Sequence, residues 1–265
     1  VRDILAAIDS FAPFRLAETW DNSGLMIGDL QGDIRRLGLS LDPLPEALEE
    51  AFQKGCQGLL SHHPLFFKPI RNIDLSSPEG RMIREAVKRD MTVMAAHTNW
   101  DSAEGGVNRT LARRIGLEPA LPPLVPSGTG EGGLGVAGIF SASASASAAV
   151  PVRELLGRMK RAWNLTRIDY YGDPDCSILR VALCGGSGGS LWSAALAAEA
   201  DLYVTADMKY HDLLDCTRAN LPVAVADHGE MENAVMDELA RCLAAASDLE
   251  VVLLEYRGLA VPLRL

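Results

Sequence analysis

The 265-residue chain has no Cys-x-x-Cys pair, no run of about 18 apolar residues and no excess of positive charge. Each absence removes a class of protein. The five cysteines (Cys56, Cys176, Cys184, Cys216, Cys242) are scattered and odd in number, so neither a disulfide scaffold nor a thiolate metal cluster is expected. Without a long apolar run or a signal-peptide pattern, no membrane span is expected, and the chain reads as cytoplasmic. Lys and Arg number 25 against 35 Asp and Glu, a net charge of −10. General nucleic-acid binding, which needs a basic surface to displace counterions, is therefore not expected. A small anionic substrate stays open, because a bound cation reverses the local field.

What is present is an ordinary globular balance, 48% hydrophobic and 23% charged, enough for one large domain or two modest lobes. Short apolar runs that end in polar tips recur along it. Arg36 to Leu41 reads as a strand ending in Asp42-Pro43, and Pro45 to Lys54 as a helix with proline at its first turn. Gly58-Leu59-Leu60 then runs into Ser61-His62-His63-Pro64, and Met91 to Ala96 runs into His97-Thr98-Asn99-Trp100-Asp101. A helix is expected over 102–115. Residues 119–133 are rich in proline and glycine and read as a linker, and the serine–alanine stretch 141–149 reads as a loop with no apolar face to bury.

The second half repeats the pattern. A strand over 179–183 ends in Cys184-Gly185-Gly186-Ser187-Gly188-Gly189. Leu202 to Thr205 leads into Ala206-Asp207-Met208-Lys209-Tyr210-His211-Asp212, and Pro222 to Ala226 leads into Asp227-His228. A long helix, 230–246, and a last strand, 250–256, follow. The expected class is α/β, two similar lobes over 1–124 and 125–265, with 228–265 able to pack back on the first. Open α/β sheets bind ligands at strand carboxyl ends, which puts a metal site there, in the cleft between the lobes.

Each polar tip has a plain reading beside a functional one. His62 and His63 fit a hydrogen-bonded strand end, and Asp101 with Glu104 fits a helix capping box. His228 and Glu232, four apart, fit a solvated helix start. Taken together they offer His-His, His…Asp and His…Glu at three strand ends, the donor mixture of Zn, Mn or Fe sites. Five or six ligands exceed what one catalytic zinc requires and suit two ions about 3.5–4 Å apart.

Several motifs in order make the chain resemble the Nif-three-like family, whose members include the GTP cyclohydrolase I type 2 homologues. They are Trp20-Asp21-Asn22-Ser23-Gly24-Leu25, Ser61-His62-His63-Pro64-Leu65, His97 to Asp101, Gly105-Gly106-Val107-Asn108, Gly186-Ser187-Gly188 and Thr205 to Asp212. The resemblance implies two divalent metal ions held by His62, His63, Asp101, His228 and Glu232. It also implies a Nif-three-like fold, and a homo-oligomer, as a hexameric ring. Asp227 and Gly229 flank His228 where the family has Gly before and an aromatic or His after, and the middle domain of longer members is missing.

The remaining tips carry auxiliary expectations. His97 and His211 are candidates for proton transfer or for orienting a ligand. Lys209 and the loop Gly186, Ser187, Gly188 are candidates for holding the phosphates of a nucleotide, against a solvated lysine and a tight turn. The expected activity is metal-dependent hydrolysis, with the resemblance implying attack of metal hydroxide on C8 of the purine of GTP. A metal-dependent phosphoesterase and a non-catalytic metal-binding scaffold are the alternatives.

Overall fold

A computed structural model describes residues 1–117, 121–128, 130–139, 141–143, 146–147 and 149–258. They form two α/β units. The first comprises Val1–Glu104 and Met236–Arg257, and the second Gly105–Val235.

The sheet of the first unit has five strands in the order Gly24–Ile27, Thr92–Ala95, Gly58–Ser61, Arg36–Ser40, Glu250–Leu253. Only Gly24–Ile27 runs antiparallel, at one edge. Two of the three inner strands, Gly58–Ser61 and Thr92–Ala95, are buried at every position, which is why they read as unbroken apolar runs rather than alternating ones. Helices Pro45–Gln53 and Pro78–Lys88 pack Leu48, Ala51, Met82 and Ala86 onto Leu59 and Val93. Burying a Leu or Met side chain of this kind is worth roughly 1.5–3 kcal/mol. Leu254, just past the last strand, joins the same cluster.

The sheet of the second unit runs Ile168–Tyr171, Val223–Ala226, Leu202–Thr205, Arg180–Leu183, Val136–Ile139. Its three inner strands are parallel and both edges antiparallel. Tyr203 lies fully buried on the central strand, and its hydroxyl donates to the Gly188 carbonyl at 2.5 Å.

Four details differ from the sequence reading. The edge strand Val136–Ile139 is unexpected, because two glycines in Gly135-Val136-Ala137-Gly138 weaken its strand signal. The helix expected over 102–115 is two helices, Thr98–Ser102 and Val107–Arg114, split at Gly105-Gly106. The helix expected over 230–246 is also two, His228–Asn233 and Met236–Ala246. The serine–alanine stretch pairs Ser141–Ser143 with Ala146–Ser147 as a small hairpin. Residues 144, 145 and 148 of that stretch, and 119, 120 and 129 of the expected linker, lie outside the described residues. Among the described residues no helix is long and apolar enough to cross a membrane, and all five cysteines are free thiols.

Candidate metal centre

In the first unit the strand carboxyl ends deliver the histidines. The backbone N–H groups of His62 and His63 donate to the carbonyls of Ser40 and Leu41, carrying the ladder just past Ser61. The Ser61 hydroxyl then donates to the His63 carbonyl at 2.7 Å and turns the chain, a local side-chain bond that competes with strand geometry. As a result the two rings do not point to opposite faces. Their centroids lie 5.0 Å apart.

His97 follows the neighbouring strand and lies 5.2 Å from His62 and 5.6 Å from His63, centroid to centroid. One ring nitrogen from each of His62, His63 and His97 falls within 4.8 Å of the others. Asp101 sits inside the helix Thr98–Ser102, with Oδ1 3.5 Å from His62 Nε2. It is not the cap of the next helix, whose N-cap is Gly106. The capping-box reading of Asp101 is thereby overturned, because the chain is already helical at Thr98.

In the second unit Asp227 is the N-cap of the helix His228–Asn233, accepting from the Glu230 N–H at 2.9 Å. That places His228 and Glu232 one turn apart, with Nε2 and Oε2 at 3.0 Å. Glu232 is buried, so the pair is no solvated helix start. Burial acts to lower the His228 imidazole, but the Glu232 and Asp207 carboxylates outweigh it and raise it to about 9.

A pattern not foreseen from the sequence joins the four histidines. Each has Nδ1 occupied by an acceptor: His62 by the Ala96 carbonyl at 2.9 Å, His63 by Asp42 at 2.7 Å, His97 by Asp21 at 2.8 Å and His228 by Asp207 at 2.6 Å. A carbonyl or an ionised carboxylate has no proton to give, so Nδ1 carries the hydrogen. Such a partner fixes ring orientation and tautomer in metal-ligating histidines. Asp21, Asp42 and Asp207 all stood within motifs or strand tips already read. Their partnership was invisible because partners lie 76, 21 and 21 residues apart. The donor set of each unit, three imidazoles with a carboxylate in one and an imidazole with a buried carboxylate in the other, fits a divalent cation.

The auxiliary candidates are placed differently. Gly186 and Gly188 are buried, and only Ser187 of that trio faces solvent. The Gly188 N–H donates to Thr205 Oγ1 at 3.1 Å. Gly186 takes a φ of +64°, and a Cβ there would lie 2.1 Å from Glu232 Oε1. The loop thus runs tight against the acid of the His228–Glu232 pair. Lys209 is exposed at the N-cap of the helix Tyr210–Arg218, and His211 is exposed in its first turn against the Tyr210 ring.

Comparison with known proteins identifies the family. The model of the Duf34/NIF3 (NGG1p interacting factor 3) family matches residues 1–257. A Clostridium perfringens protein named GTP cyclohydrolase 1 type 2 homolog is 30% identical over 251 residues, covering 95% of this chain and 94% of the relative. A Streptomyces coelicolor protein of the same name is 32% identical over 228 residues, covering 85% and 78%. A crystal structure of a Staphylococcus aureus protein superposes with a TM-score of 0.85 at 26% identity, covering 95% and 94%. With the family model matching residues 1–257, a relative 30% identical over nearly the whole of both chains and a matching fold, the chain belongs to the Duf34/NIF3 family.

Proposed function

We propose that the chain is a dinuclear metal-dependent hydrolase in which His62, His63, Asp101, His228 and Glu232 hold two divalent ions of the Zn, Fe or Mn type. The observation that carries the reading is the common Nδ1 anchoring of four histidines. Metal-ligating histidines almost always donate their other ring N–H to such a carboxylate or carbonyl, which fixes the tautomer and the ring orientation. When bound, such ions bring the pKa of a coordinated water down towards neutrality.

The chain's own residues supply the rest. Asp42 and Asp207 hold the rings of His63 and His228, and the Ala96 carbonyl holds His62. Asp21 keeps the hydrogen of His97 on Nδ1, so its Nε2 is the atom left to accept a proton from the reacting water. The substrate class comes from the relatives, which are named GTP cyclohydrolase 1 type 2 homologs. A nucleotide is therefore the proposed substrate, with opening of the purine ring as the reaction and phosphoester hydrolysis as the variant using the same centre. Lys209 and Ser187, both exposed, are the side chains proposed for its phosphates. We extend the reading to a cytoplasmic homo-oligomer, which light scattering measures directly.

Elemental analysis of purified protein, paired with turnover of GTP and a nucleotide phosphoester panel, is the test. Two ions per chain, with metal and turnover both falling in His63→Ala and Glu232→Ala, support the hydrolase. Two ions with no turnover on any member favour the second reading, a metal-binding protein without catalysis. That second reading has support in the family's name, which is that of an interacting factor.

A further inference from the structure

We infer that Trp20 and Phe67 form an aromatic wall that binds the flat heteroaromatic ring of the substrate, a purine base, beside His97. The inference rests on the proposed function for treating the histidine cluster as a reaction centre, and it adds the element that recognises the base.

Two large apolar rings stand in solvent where the fold does not require them. Trp20 is 58% exposed and Phe67 47% exposed. Their centroids are 6.2 Å apart with planes inclined at 42°. Both meet the same imidazole edge-on, with His97 lying 6.0 Å from Trp20 and 5.6 Å from Phe67. These are ordinary aromatic pairing distances, and each ring keeps surface free for a further partner.

The backbone next to each ring is fixed. Asp21, the residue after Trp20, holds His97 and also accepts from the Thr98 hydroxyl at 2.5 Å and the Thr98 N–H at 3.1 Å. Two residues before Trp20, the Glu18 N–H donates to Thr98 Oγ1 at 2.9 Å. The Asn22 side chain donates to the carbonyl of Phe66, next to Phe67, at 2.8 Å. The turn carrying Trp20 and the loop carrying Phe67 are therefore bonded to each other and to the residue following His97. Exposed rings on a fixed frame lose little freedom when a ligand arrives, which is the condition under which stacking contributes most.

The geometry favours a ring over other ligands. Flat faces of Trp and Phe attract any base through its π-face, by about 10-fold or more in affinity per stacked base. Neither side chain offers a charge for a phosphate, and Phe67 has no hydrogen-bonding group for a sugar.

Guanosine 5′-monophosphate and ribose 5-phosphate share the sugar phosphate and differ at C1′, which bears guanine in one and a hydroxyl in the other, so they test the wall directly. Both are titrated calorimetrically into wild type, Trp20→Ala, Phe67→Ala and Trp20→Phe, as purified, with metal content measured on the same samples. The expected result is monophosphate binding at least 10-fold tighter than ribose 5-phosphate, weakened about 10-fold by either alanine and kept within about threefold by Trp20→Phe. Ribose 5-phosphate affinity and metal content stay unchanged, and the tryptophan emission missing from Trp20→Phe is the part that the monophosphate quenches. Equal binding of the monophosphate by wild type and both alanine variants overturns the inference. So does a wild type that prefers neither compound or binds neither. So does Trp20 emission that follows protein concentration instead of nucleotide, which would mean that a second copy covers the rings. A metal-free chain that still loses the monophosphate on Trp20→Ala sustains the wall and removes the hydrolase reading.

Discussion

The Asp21 carboxylate accepts from His97 Nδ1 at 2.8 Å across 76 residues of sequence, and its other oxygen accepts from Ser23 and from both the N–H and the hydroxyl of Thr98. One buried acid thus fastens the Trp20–Ser23 turn to the strand end that bears a candidate catalytic histidine. Burial alone would push this carboxyl up. The bonds from His97 and Thr98 win, and they hold it far below the ordinary carboxylate range. Removing one member of a buried, charged hydrogen-bond network leaves the others unsatisfied. Asp21→Ala is expected to destabilise the fold by about 2–4 kcal/mol, read as a lower urea midpoint at unchanged m-value. A loss below about 0.5 kcal/mol would show that the turn is held by something else.

Gly186 is the tightest steric constraint on the second unit's donor pair. Alanine there meets Glu232 Oε1 at 2.1 Å and must also adopt a positive φ. The left-handed conformation costs about 1–2 kcal/mol, while the clash falls on the end of a side chain that can swing away. The fold therefore survives and Glu232 moves. Gly186→Ala should lower bound metal by about one ion per chain, with a modest drop in melting temperature. Ser187→Ala, altering an exposed neighbour, should change neither. Full metal content in Gly186→Ala would dissociate Glu232 from the centre.

The sequence made the strand tips readable because parallel strands buried on both faces are continuous apolar runs, and the run simply stops where the polar tip begins. Leu59-Leu60 before His62 and Val93-Met94 before His97 are such cases. The pairing of His228 with Glu232 was readable from a spacing of four. Three things were not. Asp42 and Asp207 had no local sign of their role, since hydrogen bonds between strand ends are a tertiary property. The place of Asp101 stayed open between a cap and a metal ligand, because Asp followed by an acid three residues on fits a capping box as well as it fits a helix interior. The Val136–Ile139 strand, half glycine and alanine, was hidden because its burial is supplied by its neighbour Arg180–Leu183 and not by its own hydrophobicity.

The His228 imidazole gives the metal-free chain a pH signature. Its pKa in the folded protein is raised to about 9 from an ordinary 6.5. Folding therefore favours the protonated ring. That contribution is complete below about pH 6.5 and disappears as the pH rises through 9. Chelated protein should accordingly melt a few degrees lower at pH 9 than at pH 6.5, and Glu232→Gln should flatten the difference. A chelated wild type whose melting temperature is flat or rising over that window would contradict the charged His228–Glu232 pair.

Asp42 offers the sharpest separation of ligand positioning from stability. Its carboxylate holds His63 Nδ1 at 2.7 Å, yet the side chain is 36% exposed, so its removal uncovers no buried group. Asp42→Asn keeps the volume but removes the charge that fixes the ring with hydrogen on Nδ1. Loss of such an outer partner typically weakens metal binding about 10–100-fold. The expected outcome is a metal affinity lower by that factor, read by competition with a chromogenic chelator, while the urea midpoint of chelated protein stays within about 0.5 kcal/mol of wild type. His63→Ala should remove the same affinity, and adding Asp42→Asn to it should cost nothing more, since a positioning residue has no effect once the ring it positions is gone. Additive losses in the double variant would mean that Asp42 acts on the metal independently of His63.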